Sequence, residues 1–141
     1  MGLKLEAAEL AAFLAREFPE VADDFEVLSA GEELAMRLKV GPQHLRPGGT
    51  VSGPSMFALA DVAMYLAILS RIGPVKLAVT TNISMDFLRK PEAARDLIGT
   101  ARILKLGRVL AVGDVLIRSA GSEAVVARAG LTYSIPPDRA A

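Results

Sequence analysis

One segment, residues 54–70, limits the folds open to this chain more than any other. It reads PSMFALADVAMYLAILS, starts with a proline that suits the first turn of a helix, and is apolar on every side. Its few polar groups are Ser55, Asp61, the Tyr65 hydroxyl and Ser70. About 17 residues span roughly 25 Å, less than the hydrocarbon thickness of a bilayer, and an acid lies at the middle. We therefore expect a helix buried in a protein core rather than a membrane span.

The rest of the chain predicts a sheet that covers this helix. The runs of alternating apolar and polar residues that predict strands are 24–30, 32–40, 75–88, 96–106, 108–118 and 124–135. The last three runs are separated by glycine-containing turns, which predicts a meander of hairpins. Within 75–88, strict alternation places Val79 on the apolar row and both Thr80 and Asn82 on the polar row.

The predicted fold class is α+β, in a single domain over residues 1–141. About six antiparallel strands curve around the central helix. Residues 4–18 are rich in Ala, Leu and Glu at helical spacing, which predicts an additional amphipathic helix within residues 1–20.

Composition excludes several classes of function. Sixteen basic residues balance sixteen acidic ones, so no net charge favours nucleic acid. The chain has no cysteine and one histidine, His44, which excludes thiol nucleophiles and zinc sites built on cysteine or paired histidines. A magnesium or calcium site made only of carboxylates stays open, although we expect no metal and no cofactor. The acidic N-terminal segment does not resemble a signal peptide, so we expect a cytoplasmic protein without membrane contact.

Asp61 is the strongest candidate for chemistry. It lies inside the apolar helix, with Phe57 and Met64 on neighbouring turns and no cation within reach on the same helix. Because a buried carboxylate is costly unless it is paired, Asp61 is either functional or the partner of a strand arginine such as Arg102 or Arg118.

The loop before the helix is the second candidate. Gly53 lies immediately before the predicted helix, at its N-terminus, where a free N–H group and the positive end of the helix dipole can hold a developing oxyanion. Pro54 has no N–H, so the N–H of Ser55 is the expected second donor; the alternative is a turn that only caps the helix. Ser52 is assigned a binding role, since no nucleophile elbow surrounds it. His44 lies well upstream of Asp61, and a structural role suits it better than catalysis.

The segment HLRPGGTVSGPSMFALADVAMYLA followed by TTNISMDFLRKP resembles the hotdog-fold acyl-CoA thioesterases of the phenylacetate-degradation (PaaI-like) type, over residues 25–136. The resemblance implies a homodimer in which a small polar strand residue of the partner subunit completes the site. By position it assigns the catalytic carboxylate to Asp61, the N–H that polarises the carbonyl to Gly53, and the strand residue to Thr80 with Asn82 beside it. Three positions depart from the family pattern: Ser52 replaces His, Pro54 replaces Gly, and Arg46 replaces Asn.

Further side chains are candidates for substrate contacts. Four cations at strand ends and in the turn at Gly107 can meet the phosphates of coenzyme A, or can be solvated strand ends: Arg89, Lys90, Lys105 and Arg108. Phe57, Met64 and Tyr65 are expected walls for the acyl group, and Arg46 is expected to meet a polar acyl end.

Three functions on this fold follow. The first is hydrolysis of acyl-CoA, with Asp61 as general base or, less favoured, as nucleophile. The second is a non-catalytic acyl-CoA binding or regulatory domain, and the third is a hydratase, which ranks last because its Asp–His pair is missing. The long strand 75–88 predicts a homodimer joined edge to edge, and association of two dimers into a homotetramer is left open.

Overall fold

The computed structural model describes residues 2–75 and 78–137. It contains helices α1 (Ala7–Glu17) and α2 (Gly53–Ile72) and strands β1 (Phe25–Ser29), β2 (Glu33–Leu38), β3 (Val79–Phe87), β4 (Leu97–Leu106), β5 (Leu110–Ser119) and β6 (Val125–Ser134). Two short 3₁₀ helices cover Ala22–Asp24 and Pro42–His44. Both predicted helices and all six predicted strands are confirmed; two residues of the predicted third strand, Lys76 and Leu77, lie outside the described residues.

The six strands form one antiparallel sheet in the order β1-β2-β4-β5-β6-β3. The predicted meander of β4, β5 and β6 is confirmed by their consecutive pairing. β3 follows α2 in the chain but pairs with β6, so β1 and β3 are the two edges. This is the hotdog architecture, in which the sheet wraps around one long helix.

Helix α2 forms the centre of the core. It packs against β2, β4, β5, β6 and β3, and α1 closes one side. Gly113 allows close contact, because a Cβ atom there would overlap the end of the Met64 side chain. Met64 is therefore enclosed by the sheet, only 1% exposed, and lines neither of the two cavities that adjoin Asp61, which corrects its expected role as an acyl wall.

The length of α2 also differs from the prediction. With 20 residues and a mean hydropathy of 1.5 in its apolar window, it is long and apolar enough to cross a membrane. In the folded chain, 61% of that window is buried against other elements. A core helix of a globular domain shows the same combination of composition and burial.

A bulge in β3 changes which side chains face α2. Thr80 pairs with Tyr133 and Asn82 with Thr132, so Thr81 is one extra residue in the ladder. The strict alternation predicted for this strand is therefore wrong before the bulge. Val79 is 54% exposed, whereas Thr80 faces the helix. Since one added residue reverses all the side chains before it, the bulge delivers Thr80 to the site.

Candidate active site

Asp61 projects from the middle of α2 and is held by two hydroxyl groups. Its Oδ1 atom accepts hydrogen bonds from Thr80 Oγ1 at 2.6 Å and from the Tyr133 hydroxyl at 2.5 Å. The Tyr133 hydroxyl also lies 2.8 Å from the backbone oxygen of Asp61. In the described parts of the chain, Oδ2 has no hydrogen-bond partner, and it is not sealed from solvent. One carboxylate oxygen is thus fixed and the other is open.

The alternative of a structural ion pair is wrong. Arg102 binds Asp114 at 3.2 Å, and Arg118 donates to the backbone oxygen of Glu123. Neither arginine reaches Asp61, whose partners are neutral hydroxyls. Thr80 is also closer than expected, because it reaches Asp61 within the same chain rather than from a partner subunit.

Tyr133 was not found by sequence reasoning. Burial raises its pKa well above the usual range, and the hydrogen bond to Asp61 and the charge of that carboxylate raise it further. The hydroxyl therefore remains a neutral donor. Alternation in the last predicted strand places Tyr133 on the inward row, but its position opposite Thr80 depends on the register of β3 on β6.

The two tyrosines predict a loss of stability at alkaline pH. Burial first, and then the charge of Glu17, raise the pKa of Tyr65 from 10.0 to about 12, and the pKa of Tyr133 is raised as well. Above pH 10 the unfolded chain ionises both groups while the folded chain keeps their protons. The contribution of the two tyrosines to stability is therefore fully present below pH 10 and is lost as pH rises toward 12.

Since one pKa unit corresponds to about 1.4 kcal/mol, we expect the free energy of unfolding to decrease by about 1–3 kcal/mol, measured by urea unfolding on both sides of this range. Tyr65→Phe should make the free energy of unfolding less dependent on pH in this range. A decrease in that variant equal to the wild-type decrease would contradict the assignment of the effect to Tyr65.

A largely apolar cavity of about 410 Å³ opens beside Asp61. Its walls come from α1, the segment after it, α2, β3 and β6: Leu14, Phe18, Val21, Asp61, Val62, Tyr65, Ala78, Val79, Thr80 and Tyr133. The Phe18 ring meets Tyr65 edge-on at 5.7 Å between centroids, and Tyr65 stacks on Tyr133 at 6.2 Å. We name this space the aromatic cavity. Tyr65 thus lines a cavity beside Asp61, while Phe57 lines a separate cavity that also includes Asp61.

The N-terminus of α2 is capped by Ser52. Its Oγ accepts from the Ser55 N–H at 3.2 Å, and its carbonyl accepts from the N–H of Met56. The expectation that the Ser55 N–H helps to hold an oxyanion is therefore wrong, because Ser52 already occupies it. The Gly53 N–H donates to no group in the described chain. A Cβ atom on Gly53 would lie 3.4 Å from Phe87 Cζ, so the loop packs directly on the end of β3.

Three of the predicted cations surround Gly53. Arg46, Arg89 and Lys90 line one cleft with it, and we name this the basic cleft. Arg108 lies elsewhere. It is in the turn between β4 and β5, which is at the same end of the sheet as the first residue of β3, whereas Arg89 follows the last residue of β3. The nine residues of β3 separate these ends by roughly 30 Å. Lys105 lies near that same far turn, next to Leu106, which ends β4.

Of two further candidate residues, Asn82 lines neither the aromatic cavity nor the basic cleft, and His44 has a structural role. Asn82 is exposed and pairs with Thr132 on the face of the sheet away from α2, because it follows the bulge. His44 is buried: its Nδ1 accepts from the Gly41 N–H at 2.9 Å, and its Nε2 lies 3.3 Å from Asp24 Oδ2. These contacts order the loop before α2, as a structural role requires.

Asp61 and Gly53 do not meet within one chain. They are eight residues apart on one helix, or about 12 Å along its axis, and they line different cavities. Across residues 2–75 and 78–137, no three side chains from His, Cys, Asp and Glu cluster in a way that could hold a metal ion.

Comparison with known proteins identifies related chains. Residues 48–126, which include Gly53, Asp61 and Thr80, match the model of the Thioesterase superfamily. A crystal structure from Silicibacter sp. TM1040, provisionally named a thioesterase, is 56% identical in sequence and has a TM-score of 0.90. The match covers 97% of this chain and 96% of that one. The phenylacetic acid degradation protein PaaI from Thermus thermophilus, solved in a mutant form, is 28% identical at a TM-score of 0.71, covering 84% of this chain and 99% of its own.

A more distant structure shares the fold. A hypothetical thioesterase from Streptococcus pneumoniae, solved with coenzyme A, is 22% identical at a TM-score of 0.70. The match covers 81% of this chain and 87% of that one.

Proposed function

The chain belongs to the Thioesterase superfamily, and we propose that this member hydrolyses acyl-CoA thioesters to a free acid and coenzyme A with Asp61 as the general base. The observation that carries the proposal is the state of the Asp61 carboxylate. Oδ1 is held by Thr80 and Tyr133, while Oδ2 is open. A carboxylate prepared in this way can accept a proton from water.

We propose that the complete site forms between two subunits of a homodimer. Gly53 packs on Phe87 at the end of β3, and Asp61 contacts Thr80 near its start. Antiparallel pairing of two β3 edges about their midpoint would place the end of one strand beside the start of the other. The Gly53 N–H of one subunit would then approach the Asp61 carboxylate of its partner. Within one chain the two groups cannot meet, because they are separated by about 12 Å along the helix.

The chemical nature of the β3 edge supports this dimer. Val79, Phe87 and Leu88 are each about half exposed there, and Phe57 of α2 is similarly exposed. A long edge strand with apolar neighbours is a surface that soluble proteins normally cover.

The reaction then proceeds in two steps. Asp61 Oδ2 takes a proton from water as the water oxygen bonds to the thioester carbon, and the carbonyl oxygen becomes an oxyanion that the Gly53 N–H stabilises. The oxyanion re-forms the carbonyl as the carbon–sulfur bond breaks, and the thiolate recovers the proton from Asp61. Direct attack by Asp61 to give an anhydride is the less favoured course, because water would have to follow it.

Coenzyme A is the proposed carrier of the acyl group, because the basic cleft adjoins the Gly53 N–H. Arg46, Arg89 and Lys90 provide charge-assisted donors of the kind that phosphates bind. The coenzyme A complex of the Streptococcus pneumoniae protein, which has the same fold, supports this choice of carrier. Sixteen basic residues balance sixteen acidic ones, so the chain has no net positive charge that would support a nucleic-acid partner.

A panel of acyl-CoA thioesters tests the proposal directly, with release of free thiol as the measurement. The competing function is a binding domain without hydrolysis, which the capping role of Ser52 favours, because this residue takes the place of the family histidine. Tight binding of acyl-CoA with no thiol release from any member of the panel would establish that alternative.

We propose that the aromatic cavity receives the acyl group and that Phe18 limits its size. Phe18→Ala would open the wall contributed by the segment after α1. We expect kcat/KM to fall about 10-fold for small acyl groups that lose contact and to rise relative to wild type for bulkier ones. The matched control is Leu28→Ala, which removes an equally exposed apolar side chain on β1, outside the cavity. An unchanged acyl preference in Phe18→Ala would refute the assignment.

A further inference from the structure

Tyr133 contacts Asp61 more closely than any other side chain, yet it lies on a different element and far along the chain. Its side chain is only 2% exposed, and its hydroxyl lies within hydrogen-bond distance of both the Oδ1 and the backbone oxygen of Asp61. Its ring stacks on Tyr65, which limits its movement. The hydroxyl is therefore held at one place by packing.

The arrangement of donors around the carboxylate is asymmetric. A carboxylate can rotate to exchange its two oxygens, and a single weak donor would not prevent this. Here Thr80 and Tyr133 both donate to Oδ1, and the register of β3 on β6 places their residues directly opposite each other. Exchange of the oxygens would break two hydrogen bonds to a charged group, which are among the stronger ones in proteins. The asymmetry leaves Oδ2 without a donor among the described residues and open to solvent.

We propose that Tyr133 is a positioning residue for Asp61, which acts with Thr80 to hold the carboxylate in one orientation with Oδ2 presented to the water molecule. The inference rests on the proposed hydrolytic function, but its physical content concerns the carboxylate alone. Tyr133 does not contact the reacting atoms. Its effect is transmitted through Asp61.

The test is Tyr133→Phe, which keeps the ring and removes one oxygen. We expect kcat to fall about 10-fold or more while KM changes by less than about 2-fold, since hydrogen bonds to charged groups are the stronger ones. Thr80→Val should act in the same direction, and Thr80→Ser should retain most of the activity.

Thr132→Val is the matched control, because it removes a hydroxyl from the neighbouring residue on the opposite face of β6. It should leave kcat unchanged. The inference is overturned if Tyr133→Phe keeps the wild-type kcat, or if its only effect is a lower melting temperature.

A second measurement separates this inference from the proposed function. The ¹³C chemical shift of the Asp61 carboxyl carbon at neutral pH responds to the donors on that carboxylate, needs no substrate, and should differ between wild type and Tyr133→Phe. If wild type hydrolyses no thioester, the proposed function fails while this chemical shift still decides the role of Tyr133. An unchanged chemical shift rejects that role whatever the activity.

Discussion

Asp61→Asn is expected to lower thioester turnover by about 10²–10⁴-fold while acyl-CoA binding is largely kept. Asparagine has the size of aspartate, and its side-chain oxygen can still accept from Thr80 and Tyr133. What it loses is the ability to take a proton from water. Because Asp61 forms no ion pair with an arginine in the described structure, the substitution leaves no cation unpaired, and the melting temperature should change little.

Three measurements on this variant decide the outcome: kcat on the best thioester, the Kd for a non-hydrolysable acyl-CoA analogue, and the thermal midpoint. Near-normal turnover in a destabilised protein would end the general-base assignment and would return Asp61 to a structural role. A loss of binding equal to the loss of turnover would place Asp61 in substrate recognition instead.

Gly53→Pro is expected to lower kcat by about 10²–10³-fold, because proline removes the only N–H that this position offers to an oxyanion. Proline suits the first turn of a helix, and Ser52 before it already has the extended backbone that a following proline requires. Gly53→Ala is the matched control: it keeps the N–H and adds a methyl group in ordinary contact with Phe87. The alanine variant should keep most of the activity, and a loss equal to that of proline would show that space, and not the N–H, matters here.

The two variants together test whether the site is shared between subunits. Asp61→Asn and Gly53→Pro chains are each expected to be inactive alone. In a hybrid dimer, one site receives an intact Asp61 from one chain and an intact Gly53 from the other, so co-refolding the two variants should restore activity of about a quarter of wild type for random pairing. A site contained within one chain would stay inactive in every mixture.

Local properties of the chain are enough to predict the fold class and the principal candidate residue. A helix of this length that is apolar on every side has to be covered, and six alternating runs supply strands for a covering sheet. Both predictions rest on local properties of the chain: the apolar area that must be buried, and the spacing at which apolar residues recur. The same reasoning identified Asp61, because a carboxylate in such a helix is conspicuous from composition alone. Gly53 followed from the glycine-rich loop before the helix.

Which of those residues meet depends on contacts between distant parts of the chain. The bulge at Thr81 brings Thr80 to the helix, and the pairing of β3 with β6 brings Tyr133 opposite it. Neither the bulge nor this pairing can be predicted from the sequence. A one-residue shift in register leaves the hydrophobic alternation elsewhere in the strand intact, while the side chains before the shift change to the opposite face of the sheet. The separation of Arg108 from Arg89 likewise depends on which ends of the strands are adjacent. Periodicity along a chain reports which side chains are buried, whereas the contacts between distant strands decide which of them meet.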